Sequence, residues 1–194
     1  PLPEEKKFAG KGVHYCELCD GHMYQDKVIA VMGGGNAAVD AANFLTKYAS
    51  KLYLIHRSDF RADDVSQKRL KENPKAEIFL QTEIKSLQGE GRLESIEVLD
   101  KVSGEIRSLP VDGIFVNIGV VPNTALFKEE LPLTASGRIE AGEDCRTTIP
   151  GVFAAGDVRE KEIRQLTTAA ADGTAAALLA EKYLVKLKEG NEVW

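Results

Sequence analysis

Two cysteines stand three residues apart in Cys16-Glu17-Leu18-Cys19-Asp20-Gly21, and a glycine-rich turn, Gly33-Gly34-Gly35-Asn36-Ala37-Ala38, follows shortly downstream. A CxxC pair has two chemistries open to it: a redox dithiol that cycles through a disulfide, or half of a structural zinc site. A zinc site needs two further ligands, but Cys145 stands alone and His14 and His22 flank the pair at spacings unlike a zinc finger. In the redox reading one thiol attacks a substrate disulfide, the other resolves it, and Asp20 is placed to transfer a proton. Cys145 reads as a small buried filler. The glycine turn offers a different chemistry. Gly33 permits the tight turn, Gly35 lets a pyrophosphate approach the backbone, and Ala38 allows close helix–strand packing. The N-terminus of the following helix supplies N–H groups to the anion. The alternative is an ordinary strand–helix turn with incidental glycines.

The end of the next strand distinguishes the cofactors. NAD sites usually place an Asp or Glu there, ~20 residues on, to hold the ribose hydroxyls. This chain has His56-Arg57-Ser58-Asp59-Phe60-Arg61 instead. Two guanidiniums beside an adenosine ribose suit the extra 2′-phosphate of NADP, because Arg binds phosphate through two parallel hydrogen bonds. A solvated basic turn is the alternative. A dithiol beside a dinucleotide turn suggests electrons passing from a nicotinamide to a disulfide.

These residues need elements to hold them. Val28-Ile29-Ala30-Val31-Met32 is a continuous apolar run ending in glycines, the pattern of a strand buried on both faces. Residues 36–48 read as a helix, 52–55 as a second strand and 62–72 as a polar helix, which together make a βαβ unit. Residues 76–80, 83–88, 93–100 and 105–109 read as strands of an antiparallel meander, separated by Gly89-Glu90-Gly91 and Ser103-Gly104. Residues 111–118 form a returning apolar strand closed by Gly119-Val120-Val121-Pro122-Asn123. Beyond it, 137–140 is a short strand, and residues 149–157 are a turn, a strand and a glycine stop. Residues 162–188 read as one Ala- and Leu-rich helix, with Gly173 as the place for an interruption.

The bulk numbers exclude several classes. The 194 residues suffice for one large domain or two small ones. At 43% hydrophobic and 28% charged residues the chain is globular, not disordered. A net charge of −5 leaves no basic footprint for nucleic acid. No apolar run approaches the ~18–20 residues of a membrane span, and the first residues show no signal-peptide pattern. With three cysteines, two of them in CxxC, a reducing cytoplasm is expected.

The chain resembles the low-molecular-weight thioredoxin reductases of bacteria and archaea. The likeness rests on Gly12-Val13 through Cys16, Cys19, Asp20 and Gly21; on Val31-Met32-Gly33-Gly34-Gly35-Asn36-Ala37-Ala38-Val39; and on His56-Arg57 with Phe60-Arg61-Ala62. It continues through Gly119 with Pro122-Asn123-Thr124, Ile149 to Asp157-Val158, Arg164-Gln165 and residues 169–173. The resemblance implies an FAD-containing homodimer that passes hydride from NADPH to flavin, then electrons to an active-site disulfide and on to thioredoxin. By that likeness Cys19 is the flavin-side sulfur, Cys16 exchanges with the protein substrate, and Asp20 is the acid. Gly33, Gly35, Asn36, Ala37, Ala38, His56, Arg57, Ser58, Arg61 and Gly119 would hold the nicotinamide dinucleotide. Gly156, Asp157, Arg164, Gln165 and a helix start near Ala171 would line the flavin, with Asp157 on the ribityl chain. A glycine ending a strand before a carboxylate that can reach a polyol agrees with this; a plain turn or cap residue is the alternative for Asp157.

Three departures from the family pattern stand out. The early flavin-binding glycine motif does not occur, so a fragment of a longer enzyme is expected. Ser58 replaces a second Arg, which weakens NADP preference by one charge-assisted contact, ~1.5–3 kcal/mol, and leaves NADH or ferredoxin as alternative donors. Glu17 and Leu18 replace small residues between the cysteines, and a carboxylate beside Cys16 raises its thiol pKa. The expected architecture is α/β: a linker over 1–10, a Rossmann-like three-layer nicotinamide domain with a β-meander over 11–123, and part of a discontinuous FAD-binding domain over 124–194. A non-enzymatic dinucleotide- or zinc-binding module is the reading from another class.

Overall fold

Five parallel strands are the frame on which the candidate residues hang. A computed structural model describes residues 2–191, and they divide into two compact units, one up to Gly119 and one from Val120 onward. In chain order the first unit has α1 (Glu5–Phe8), β1 (Val13–His14), α2 (Glu17–Asp20), β2 (Val28–Met32), α3 (Asn36–Leu45), β3 (Lys51–Ile55) and α4 (Asp64–Lys71). β4 (Ala76–Phe79), β5 (Thr82–Gln88), β6 (Ser95–Asp100), β7 (Ile106–Pro110) and β8 (Gly113–Val116) follow.

The large sheet runs β1-β8-β2-β3-β4 with every pairing parallel. β5, β6 and β7 form a separate antiparallel sheet. The central strand β2 carries Ile29, Ala30 and Val31, all fully buried, as its unbroken apolar run requires. The large sheet separates two cores. On one face Ala30, Tyr53, Ile55 and Ile114 pack with Leu87, Ile96 and Val98 of the antiparallel sheet. On the other, Ile29, Val31, Leu52, Leu54 and Phe115 pack against Ala38, Val39, Ala42 and Leu45 of α3 and Leu70 of α4. This is the expected three-layer α/β arrangement.

Local chemistry sets the helix ends. Asp63 accepts a hydrogen bond from Ser66 N at 2.9 Å and starts α4. Lys75 Nζ donates to the carbonyls of Thr46 at 3.1 Å and Ala49 at 2.8 Å, just past the C-terminus of α3 where carbonyls lack partners.

Several expectations need correction. Residues 76–79 belong to the parallel sheet, paired with β3, and not to the meander. The sequence Ala76-Glu77-Ile78-Phe79 alternates like a half-buried antiparallel strand, and only the crossover through α4 places it at the sheet edge. Val13–His14, to which the sequence reading assigned no element, is a strand paired with β8. Within residues 2–10, expected as a linker, Phe8 is fully buried in the first core together with Leu2.

The second unit has little regular structure before its terminal helix. Turns of 3-10 helix cover Ala125–Phe127 and Gly156–Val158. The strand expected over 137–140 reduces to single bridges, Ile139 pairing with Leu133 and Arg159. Its core is Leu131, Ile139 and Ala154 with partly buried Leu133, Ile149 and Val158. Helix α5 runs unbroken over Leu166–Glu189, through Gly173. Its start is a reciprocal cap in which Gln165 and Thr168 each bond the other's backbone N–H, and Gly190 ends it with φ +74°.

Candidate functional site

In a parallel sheet, consecutive strands leave by the same edge. β1 therefore delivers Cys16, β8 delivers Asn117, β2 delivers Gly33 and β3 delivers His56 to one edge of the first unit. This is the edge at which open α/β sheets bind ligands. Only β8 separates the strand before the cysteines from the strand before the glycines, two strand spacings or roughly 10 Å.

Cys16 and Cys19 are joined in a disulfide with Cα atoms 5.3 Å apart. Cys16 is half-buried and Cys19 exposed. Cys16 also caps α2: its Sγ accepts from Cys19 N at 3.1 Å. Asp20, the last residue of α2, bonds the imidazole of His14, Oδ2 to Nδ1 at 2.9 Å. Glu17, one residue beyond Cys16, turns its carboxylate toward Asn117, whose Nδ2 donates to it at 3.4 Å.

The glycine turn is built for close approach. Gly33 has φ +146°, and a Cβ there would lie 2.3 Å from the Asn117 carbonyl oxygen and 2.6 Å from Ala38 Cβ. Gly34 is occupied from behind, since a Cβ would lie 2.1 Å from the His56 ring. Gly35 faces open space and precedes the exposed Asn36 and Ala37 at the start of α3. Ala38 is fully buried, as close helix–strand packing demands. Asn36 has a task of its own: its Oδ1 accepts from Asp63 N at 2.9 Å, tying the starts of α3 and α4 together.

The His56–Arg61 loop is fastened to this turn by Arg61 N, which donates to Gly34 O at 2.8 Å. His56 is buried, and burial, then the charges of Arg61 and Arg57, hold its pKa below the ordinary imidazole value. It is a neutral wall under the glycines. Ser58 Oγ lies 3.0 Å from its Nε2. The positive charge belongs to Arg57 and Arg61, both exposed and neither guanidinium partnered by a described residue. Gly119, with φ +105°, closes the first unit.

In the second unit Gly156 adopts φ +77°, and Asp157 follows it exposed, its carboxylate without a described partner. Arg164 donates to Glu160 at 3.3 Å, while its Nε is buried with no partner. Ala171 is the sixth residue of α5, not near its start, because the helix begins at Leu166.

A family model described as "Pyridine nucleotide-disulphide oxidoreductase" matches residues 1–173. The chain belongs to this family. Within it, the chain is 50% identical over 185 residues to the "34.2 kDa protein in rubredoxin operon" of Clostridium pasteurianum, covering 95% of this chain and 60% of that protein. It is 38% identical to the thioredoxin reductase of Listeria innocua, over 97% of this chain and 60% of the relative. The crystal structure of thioredoxin reductase from Streptococcus pyogenes matches with TM-score 0.91 and 34% identity, over 95% of this chain and 61% of that one. The resemblance read from the motifs is therefore supported. The chain spans about 60% of the length of these curated relatives.

Members of a pyridine nucleotide-disulphide oxidoreductase family imply a nicotinamide dinucleotide and a flavin, and the residues present fit both. For the dinucleotide there is the side-chain-free turn at Gly33–Gly35, two unpaired guanidiniums, and a buried Asn117 Oδ1 without a partner at the same sheet edge. For the flavin there is the unpaired Asp157 carboxylate and the orphaned Arg164 Nε.

Three groups escaped the sequence reading. Lys101, after β6, donates from its Nζ to the Arg57 carbonyl at 3.2 Å and also pairs with Glu83 at 3.7 Å, tying that loop to the antiparallel sheet. Arg159 and Asp172 form a buried pair, Nε to Oδ2 at 2.7 Å and Nη2 to Oδ1 at 2.9 Å, joined by Lys161 at 2.9 Å. Asp172 also accepts from Gly156 N at 2.9 Å, so the pair holds the turn that presents Asp157. The third is His14 with Tyr24, Nε2 to Oη at 2.6 Å. The His–Asp–Tyr spacing across 14, 20 and 24 follows no known pattern, and nothing in the sequence marks two opposite charges 13 residues apart as a buried pair.

Proposed function

We propose that this chain carries the nicotinamide site, the redox disulfide and part of the flavin site of a thioredoxin-reductase-type enzyme. Electrons would pass from NADPH through FAD and the Cys16–Cys19 disulfide to thioredoxin or a thioredoxin-like protein. The observation that carries the reading is the shared sheet edge, where the disulfide and the glycine turn leave strands that flank β8. Residues up to about 123 would make the nicotinamide domain, those beyond it the returning part of the FAD domain, with a homodimer in a reducing cytoplasm as the working assembly.

The chain's residues divide the task. Gly33 and Gly35 admit the pyrophosphate to the backbone, and the first N–H groups of α3, at Asn36 and Ala37, face it. Ala38 keeps that helix close, while Arg57 and Arg61 pair with the 2′-phosphate. His56 and Ser58 shape the loop, and Gly119 would line the dinucleotide. In the second unit Asp157 accepts from ribityl hydroxyls. Arg164 and Gln165, just ahead of α5, and Ala171 within it would line the flavin, with Gly156 setting the turn. Flavin, when bound, supplies the exchange between two-electron hydride chemistry and thiol chemistry. Cys19 would be the sulfur that faces it and Cys16 the thiol that attacks the protein substrate. The Cys19 N–H is directed at Cys16 Sγ, where it can donate to the attacking sulfur. Asp20 gives the proton to the departing sulfur.

The FAD-loaded protein is mixed with NADPH and thioredoxin, and thiols are trapped by alkylation. Alkylation of Cys16 and Cys19 together with reduction of thioredoxin is expected. A flavin that bleaches while the disulfide stays closed overturns the reading. A second reading, with NADH or reduced ferredoxin as donor, rests on Ser58, whose hydroxyl is engaged by His56 and leaves two basic side chains for phosphate. Rates of flavin bleaching by NADPH, NADH and reduced ferredoxin separate the two.

A further inference from the structure

His14 lies one residue before the Tyr15-Cys16 step, on the two-residue strand β1, and is 7% exposed. Both of its ring nitrogens are engaged, Nδ1 by Asp20 Oδ2 at 2.9 Å and Nε2 by Tyr24 Oη at 2.6 Å. Its ring stacks on Phe115 of β8, with centroids 5.4 Å apart, and that ring meets Tyr24 edge-on. The imidazole therefore has one position and two assigned partners. The groups facing it are Asp20 from α2, Tyr24 from the turn that follows, and the apolar Phe115 from the sheet. Asp112, whose charge bears on Tyr24, is itself engaged by Val28 N at 3.0 Å. Burial, then Asp20 and Asp112, push the Tyr24 phenol up to about 12. It stays a neutral hydroxyl that can donate to or accept from Nε2.

We propose that His14 is a positioning residue for disulfide exchange: it aims the Asp20 carboxyl and holds with it the proton that the departing sulfur takes. The proposal rests on the assignment of Asp20 as the acid given under Proposed function. The 2.9 Å hydrogen bond between His14 Nδ1 and Asp20 Oδ2 lets the two groups share one proton next to Cys19 in the chain. In the step, the Cys16 thiolate forms a bond to one sulfur of the substrate disulfide and the substrate S–S bond breaks. The electron pair leaves on the other substrate sulfur, which takes the proton held between Asp20 and His14. The pair then regains a proton from water. No electron acceptor beyond the substrate disulfide is needed.

The test uses the full chain, reduced with dithiothreitol and freed of it, so that it does not depend on loaded flavin. Two disulfides serve as probes. Hydroxyethyl disulfide releases a basic alkyl thiolate that needs a proton; dithiobis-nitrobenzoate releases an aryl thiolate that does not. At neutral pH, His14→Asn and Asp20→Asn should each slow exchange with the alkyl probe about tenfold or more and leave the aryl probe unchanged. The double variant should be no slower than either single one, because the two residues act as one unit. Should His14→Asn fail to fold, Tyr24→Phe keeps the ring packing and removes the hydroxyl; it is expected to slow the alkyl probe alone. Equal slowing of both probes by His14→Asn, or no slowing where Asp20→Asn slows the alkyl probe, overturns the proposal. An Asp20→Asn chain unchanged toward both probes overturns the acid assignment itself, and the role of His14 with it.

Discussion

Arg57 and Arg61 project from the loop after β3 with free guanidiniums, whereas Ser58 between them is turned to His56. If these arginines hold a 2′-phosphate, Arg57→Ala should raise the Michaelis constant for NADPH about tenfold, near 1.4 kcal/mol, and leave that for NADH unchanged. Equal constants before and after the substitution would remove the phosphate assignment. Gly34 is constrained differently. Its Cβ would collide with the buried His56 ring, so Gly34→Ala should cost about 1–3 kcal/mol of stability, measured by denaturant unfolding. His56 also gives the first unit a pH dependence. Its folded pKa is depressed by burial, so the unfolded chain binds the proton more readily. The stability it contributes is complete above the ordinary histidine value near 6.5 and is lost as the pH falls through its lowered one. At this scale the sequence was legible where a residue type has few uses, as with CxxC and the glycines. It was not legible for His14, whose meaning comes from Asp20 and Tyr24 closing around it in space.

At the scale of elements, β2 could be read because five apolar residues between a lysine and three glycines admit few alternatives. β1 could not, since two residues carry no period and its strand character comes from pairing with β8. The same holds for β4, whose partner is set by a crossover and not by its own alternation. Helix α5 was legible as a helix from its Ala and Leu content, and Gly173 within it proved no interruption. What escaped was its anchor. Asp172 on α5 meets Arg159 and Lys161, and the Arg159 hydrogen bond, ahead of those from Lys161 and Gly156 N, holds its carboxyl far below the ordinary range. Removing one partner strands a buried charge, so Asp172→Ala should destabilise the second unit by about 3–5 kcal/mol. Because the folded pKa is depressed, the stabilisation is present above the unfolded carboxyl value near 4 and fades as the pH falls below it. Acid titration followed by a probe in the second unit should show this loss, and the Asp172→Asn chain should lack it.

The whole molecule is uneven. The first unit buries two apolar layers against one sheet, while the second has a core of three buried residues and their partly covered neighbours. Along α5, Leu166, Leu178, Leu184 and Leu187 are exposed. Denaturant should therefore unfold the chain in two steps, the second unit first, seen as loss of helix signal before loss of the Tyr24 and Phe115 environment. A single transition by both probes would contradict that picture. Among the described residues the largest fully buried side chain is Arg159, a charged one. Its consequence concerns the routes open to this sequence as it drifts. A single change at Asp172 leaves buried Arg159 with only the exposed Glu143 carboxylate, and one at Arg159 leaves Asp172 with only Lys161, so each step loses the two-bond contact before anything replaces it. A joint change to two well-packed apolar residues could match or exceed the present stability. The pair therefore works as a ratchet: easy to keep, hard to leave one substitution at a time.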